Sequence, residues 1–345
     1  MQLDTTYPPS IKRRPTPISL RLFYALIVVS LLTALPLLAV NVTGMALPTV
    51  IQVFTTRFLG IFVEAVPFLL MGSITSGLID AFVRPDDIVR VLPRNRYAST
   101  VLGSFMGLVF PVCECGVVPV AKRLFTKGLP VSIGISFLLA APFMNPIVFA
   151  STFIAFGFGE VFVGRFIVTA LVASAVGLIF AFSTRGTEPL RPESMLDASC
   201  IVPPRPKLRP GLSQAMATAS SDFFDMGRFL VIGCMMAAGM QTFVPQETLL
   251  AIGSDTLSSV LVMQGLAFIL SACSTVDSFL ALAFVNTFTT GAIIAFLSFG
   301  PMVDVKSALM FLGVFTRRTV FYLILLPFVF NLLAGVAINL MLGYR

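Results

Sequence analysis

The chain has 345 residues, 57% of them hydrophobic and 11% charged, a net charge of +7, and neither histidine nor tryptophan. Soluble domains carry about 25% charged residues, so the composition excludes a soluble globular fold. The missing histidine excludes His-ligated metal, His-ligated haem and Ser-His or Cys-His catalysis. The surplus cations fall between apolar runs, which marks cytoplasmic loops rather than a nucleic-acid surface.

Residues 1–19 combine Pro8, Pro9, Pro15 and Pro17 with Lys12, Arg13 and Arg14 and read as a disordered basic tail. Residues 20–46 read as an N-terminal anchor, with its apolar span over 20–40 and its N-terminus in the cytoplasm. The polar lead is long and no clear small-residue cleavage site follows, which argues against a signal peptide. Residues 47–83 are too many for one upright span. An interfacial approach up to about Arg57 and a span over 60–83 are expected. The next loop carries Arg84, Arg90, Arg94 and Arg96 and is cytoplasmic by charge.

Two apolar arms, 98–110 and 117–124, flank Cys113-Glu114-Cys115-Gly116. Neither can cross about 30 Å at 1.5 Å per residue. Both outer ends carry cations, among them Lys122, Arg123 and Lys127. A re-entrant hairpin entering from the cytoplasm satisfies both facts. Residues 129–141 and 147–157 flank Pro142-Phe143-Met144-Asn145-Pro146. Prolines four apart break a helix, so this is one span interrupted at mid-depth. Residues 161–182 read as a plain span. Residues 184–221 are proline-rich and cationic and read as a flexible cytoplasmic linker. Cys200 lies within it as a free thiol without a role.

The second half repeats the first. Residues 62–83 align without gaps to 223–244, pairing Phe62 with Phe223, Gly72 with Gly233 and Glu64 with Asp225. GLVFPVCECGVV at 107–118 aligns to GLAFILSACSTV at 265–276, where Cys115 meets Cys273. FLLAAP at 137–142 aligns to FLSFGP at 296–301, so Asn145 corresponds to Asp304. Loops 245–255 and 286–290 contain no Lys or Arg, whereas Arg317 and Arg318 precede the last span, 319–342. The two hairpins therefore enter from opposite faces. The expected fold is an all-α polytopic membrane protein with an inverted-topology repeat. Each half, 47–183 and 222–345, has three spans, one of them broken, and one re-entrant hairpin; the N-terminal span is extra. Broken helices meeting at the midplane between inverted halves are a transporter arrangement.

PVCECGVVPVAKRL followed by PFMNP resembles the predicted permeases that include ArsP-type organoarsenical efflux proteins. The resemblance runs from about Phe62 to the C-terminus and implies a multispanning permease. It leaves the cargo open.

Polar groups inside apolar, broken segments are the candidate site. Cys113, Cys115 and Cys273 stand at the hairpin tips and suit a soft ion or a thiol-reactive metalloid. Glu114 between two of them suits substrate contact or proton carriage. Asn145 offers a neutral ligand at the first break. Asp277, Asp304 and Lys306 form a polar midplane set suited to proton coupling, with a Lys306–Asp304 ion pair as the plainer alternative. Glu64 and Asp225 are expected at helix ends, solvated at the interface, and Cys234 as packing. Pro111, Pro119, Pro142, Pro146 and Pro301 are expected to end helical arms, and Gly116 to permit the first hairpin turn.

No phosphate-binding or dinucleotide-binding glycine motif is present, and no cofactor is expected. The leading reading is a secondary transporter in a plasma or inner membrane, its partners being the bilayer and a small solute or ion rather than nucleic acid. The sharpest cargo reading is export of a soft, thiol-reactive compound such as a trivalent organoarsenical. A homo-oligomer or a partner subunit is compatible with this. The alternative is a thiol-disulfide electron carrier resembling the CcdA and DsbD type, using Cys115 and Cys273.

Overall fold

The computed structural model describes residues 47–83, 93, 95–108, 112–183, 208–243, 256–285 and 287–342. The basic tail, the anchor over 20–46, Pro111 and Cys200 lie outside these residues. The compact unit that carries the site is Phe54–Arg345. Among the described residues there are twelve α-helices and no strand. They are α1 (Leu47–Phe82), α2 (Arg96–Phe105), α3 (Glu114–Thr126), α4 (Val131–Ala140), α5 (Pro146–Phe156) and α6 (Glu160–Ser183) in the first half. The second half holds α7 (Leu208–Phe243), α8 (Thr256–Leu270), α9 (Val276–Leu282), α10 (Thr290–Phe299), α11 (Val305–Val314) and α12 (Arg317–Met341). Four of them, α1, α6, α7 and α12, are long and apolar enough to cross a membrane.

The long helices differ from expectation at their starts. α1 is one continuous helix of 36 residues, not an interfacial approach followed by a span. Pro67 is its one internal proline, and the helix continues through it. α7 also has 36 residues, so positions 208–221, read as the end of the linker, are helical. Their serines and threonines look linker-like, but Ala215 and Ala219 are buried. Gly77 explains why: a Cβ there would collide with the Ala215 carbonyl.

α1 and α7 run antiparallel. Thr218 Oγ1 donates to Asp80 at 3.1 Å and Ser76 Oγ to Asp222 at 2.6 Å. Far from these, Arg57 of α1 donates to the Gln241 carbonyl near the end of α7. α6 and α12 are likewise opposed, since the start of α6 (Glu160–Gly164) and the end of α12 (Ile338, Met341) line one apolar groove of about 580 Å³.

Packing recurs between the halves. α4 packs on α2, α6 and α3, as α10 packs on α8, α12 and α9. Gly177 of α6 lies against Ser132 and Ser136 of α4, and Gly291 of α10 against Gly335 and Asn339 of α12. Small residues let helix backbones approach without a hydrophobic drive from water.

The chain leaves helical structure between α4 and α5 and again between α10 and α11. Between α4 and α5 the chain turns at Ala141–Met144 and restarts at Pro146, whose missing N–H costs nothing in the first turn. Asn145 Oδ1 accepts from the Ile147 N–H at 3.0 Å. Between α10 and α11 it turns at Gly300–Val303. Asp304 Oδ1 accepts from the Ser307 N–H at 2.6 Å, and Ser307 Oγ from the Asp304 N–H at 2.9 Å. These caps satisfy donors that a helix start leaves open. Pro142 and Pro301 lie in the turns as expected.

Two expected breakers do something else. Pro119 is inside α3 and does not end it; its carbonyl accepts from Ser76 Oγ at 3.2 Å. Gly116 is also helical, not a turn. A Cβ on Gly72 would strike the Gly116 backbone, so both glycines serve the close crossing of α1 and α3.

Candidate functional site

Two short helices, at the places expected as hairpin tips, each carry an acid in the first turn: Glu114 in α3 and Asp277 in α9. α9 packs on α5 of the first half, and α3 on α11 of the second. Each acid thereby reaches a cation from the opposite half. Asp277 pairs with Arg165 of α6 at 2.9 Å, and Glu114 with Lys306 of α11 at 3.9 Å.

The two pairs differ in quality. Arg165 is 0% exposed. Its Nη2 donates to both Asp277 oxygens, at 2.9 and 3.2 Å, and to the Ser274 carbonyl at 3.0 Å. Its Nη1 donates to Ser278 Oγ at 2.6 Å and Thr152 Oγ1 at 2.8 Å. The guanidinium also sits 5.6 Å from the centre of the Phe143 ring. One planar cation thus ties α6, α5 and the second hairpin together, which suits the fork geometry of arginine. Lys306 instead is shared. It lies 3.4 Å from Asp304 Oδ2 without a hydrogen bond to it, and 3.9 Å from Glu114 Oε1. Glu114 Oε2 and Asp304 Oδ2 are buried without a hydrogen-bond partner.

The thiols surround this second pair. Cys113 is the half-buried N-cap of α3, two residues before buried Cys115. Cys273 is buried and accepts a contact from Thr275 Oγ1 at 3.6 Å. Cys115 and Cys273 both lie near enough to interact with the Lys306 charge. So does Cys234, expected only as packing; its neighbour Gly233 lies against the Lys306 backbone. The four described cysteines are free thiols. Among the described residues no three Cys, Asp or Glu side chains are gathered to hold a metal ion. The soft-ion set Cys113, Cys115 and Cys273 is therefore not an assembled metal centre.

Other expectations shift. Asn145 and Asp304 are helix caps first, since each spends an oxygen on a backbone N–H. Glu64 is not at a helix end: continuous α1 places it at mid-helix, near Glu114 and Cys273. Asp225 is likewise in the middle of α7 and faces Arg228 at 3.8 Å on an exposed surface.

Sequence reading missed two groups. Arg165 lies inside the stretch 161–182 read as a plain span and was not singled out. Asp222 looked like the edge of a linker. It is 2% exposed and receives Arg123 at 3.2 Å and Lys122 at 3.7 Å. Arg123 also reaches Asp80 at 3.6 Å, and Lys127 reaches Asp80 at 3.4 Å. The cations thought to mark a loop after the hairpin are thus helical or next to it, and clamp α3 to α1 and α7. The visible signal was the acid at helical spacing on α1, Gly72, Ser76 and Asp80, facing Gly116, Pro119 and Arg123 on α3.

Residues 50–340 match a family described as predicted permease. The chain is 44% identical over 269 residues to UPF0718 protein YcgR of Bacillus subtilis, covering 77% of this chain and 90% of that one. It is 36% identical over 295 residues to a protein of Streptococcus mutans named a two-component membrane permease complex subunit, covering 84% and 97%. Similarity to UPF0718 protein YraQ of Escherichia coli is 27% over 122 residues, 34% of each chain. No solved structure matches. The names that state a function describe permeases, and none describes an electron carrier, so the CcdA-like alternative gains no support.

Proposed function

The chain belongs to the predicted permease family of the UPF0718 proteins, a multi-pass membrane family, and on that premise we propose that it is a secondary transporter of a small solute. The observation that carries this reading is the exchange of buried ion pairs at the hairpin tips. Glu114 of the first half engages Lys306 of the second, and Asp277 of the second engages Arg165 of the first. Ionisable groups inside membrane helices mark solute or ion pathways.

The halves are inverted repeats, 47–183 and 222–345, joined by the 184–221 linker and preceded by the tail and the anchor. Support comes from the matched lengths and opposed courses of α1 and α7, and from the recurring packing of the helices behind each break. The two hairpins are re-entrant from opposite faces. The cation-rich end, with Lys122, Arg123 and Lys127, faces the cytoplasm, and so does the N-terminus. Cargo meets Cys113, Glu114, Cys115 and Cys273 at the tips, with Cys234 and Glu64 close by. Asn145 shapes the first break, and Arg165–Asp277 holds the second hairpin in place.

The cargo is a soft, thiol-reactive compound, for which the ArsP-type resemblance suggests a trivalent organoarsenical, moving outward. Thiols without a preformed metal geometry suit a ligand that engages one or two of them in passing. The name of the Streptococcus relative supports a partner subunit. The test is a resistance screen in a sensitised bacterial host with a panel of trivalent arsenicals and other thiol-reactive toxicants, followed by uptake into inside-out vesicles. Protection with vesicle uptake that is lost in Cys115→Ser and Cys273→Ser is the expected result. Uptake unchanged in the triple Cys113, Cys115 and Cys273 serine variant would remove the thiols from the transport path.

A further inference from the structure

Resting on the transporter reading above, we propose that the Glu114–Lys306–Asp304 cluster is a binding site for one further unit of positive charge, a proton or an alkali cation, which serves as the coupling ion. Two carboxylates and one ammonium meet at 3%, 1% and 2% exposure, which leaves one negative charge in the protein interior. An uncompensated buried charge is costly. The other cross-half pair has no such surplus: Arg165 and Asp277 match one to one, with both carboxylate oxygens bonded.

Among the described residues, no neighbouring cation makes up the difference. The groups near Glu114 are Glu64 from α1, Cys113 and Cys115 beside it, Asp304 and Lys306 at α11, Cys273 at the second tip, and Asp277 of α9, which Arg165 already matches. Lys306 is the one cation among them. Lys122 and Arg123 lie on α3 beyond the tip and are engaged by Asp222. The helix starts of α3 and α11 favour a nearby anion, but the Asp304 cap spends Oδ1 alone. Two buried oxygens, Glu114 Oε2 and Asp304 Oδ2, remain without hydrogen-bond partners. Asp304 Oδ2 already has the Lys306 ammonium at 3.4 Å, so the missing charge binds at Glu114 Oε2.

Occupancy acts on the contact between the halves. Lys306 is held between two acids at 3.4 and 3.9 Å. When a cation neutralises Glu114, Lys306 pairs with Asp304 within its own half, and the first hairpin tip loses its electrostatic tie to the second half. When the cation leaves, Glu114 recaptures Lys306. Binding at the tip is thereby linked to movement of one half against the other, as coupling requires a ligand that prefers one state.

The test reads binding without any cargo. The full chain is purified in detergent and its thermal unfolding followed in two arms: sodium replacing choline at fixed pH, and pH varied in choline. A ligand that binds only the folded state raises stability in proportion to its occupancy. In one arm the wild type should show the slope of one bound charge, a tenfold change in the folding constant per tenfold change in free ion. Glu114→Gln and Asp304→Asn should each flatten that arm. Asp304→Asn retains an Asn cap of the kind Asn145 forms, so loss of fold does not obscure the result. Response in the sodium arm assigns an alkali cation, and response in the pH arm assigns a proton. Slopes identical in wild type and both variants in both arms overturn the proposal. That outcome leaves the permease reading standing, which fails instead if no compound of the panel is transported while the binding slopes are present.

Discussion

Arg165 and Lys306 both bring a cation across to the opposite half, yet their settings assign them different work. Arg165 is enclosed, bonded to Asp277, Ser274, Ser278 and Thr152 within 3.2 Å. Removing its partner leaves a guanidinium buried without countercharge, which typically costs about 3–5 kcal/mol. Asp277→Asn should therefore lower thermal stability in detergent by about that amount. Glu114→Gln breaks a contact of 3.9 Å and should change stability by less than about 1 kcal/mol, measured in the same unfolding assay under the same ionic conditions. Equal losses in the two variants would place the two pairs on the same footing. The distinction was not legible in sequence. Arg165 and Asp277 are 112 positions apart, and a lone arginine five residues into a 24-residue apolar helix looks like an interfacial cation.

The elements most readable from sequence were those that interrupt a pattern. Pro142 and Pro146 around Asn145, and Pro301 before Asp304, break apolar runs with residues that cap or cannot continue a helix, and the chain turns at both. Pro119 and Gly116 misled because their signals are ambiguous. A proline inside a short helix loses one backbone bond but need not end it, and glycine serves close helix contact as well as turns. The start of α7 was hidden by composition: Ser213, Thr218 and Ser220 resemble a linker until α1 is laid beside them. That contact creates the clamp in which Asp222 engages Lys122, Arg123 and Ser76. Asp222→Asn should destabilise the folded chain by up to about 3–5 kcal/mol, because two buried cations share this acid, with Asp80 still within 3.6 Å of Arg123. Asp225→Asn, three residues along the same helix, loses an ion pair whose side chains are 44% and 67% exposed and should cost less than about 1 kcal/mol. Folded yield by size-exclusion chromatography and thermal unfolding compare the two directly.

At the scale of the molecule, the proposed repeat rests on apolar register, paired glycines and paired breaks in the two halves of the sequence. α1 and α7 are each 36 residues long and run in opposite directions, and similar packing recurs behind the breaks. What sequence alone did not supply was the exchange of cations between halves, since that requires knowing which helix ends meet. Inversion of the halves is the claim on which the transport reading rests, and the turns after the two hairpins test it most directly. Lys127 lies between α3 and α4, and Val285, 42% exposed, between α9 and α10. Cysteines placed singly at these two positions are to be labelled with a membrane-impermeant maleimide in intact cells and in inside-out vesicles, with the unsubstituted chain as background. The account predicts that Lys127→Cys reacts from the cytoplasmic side and Val285→Cys from the opposite side. Labelling of both from the same side would contradict it.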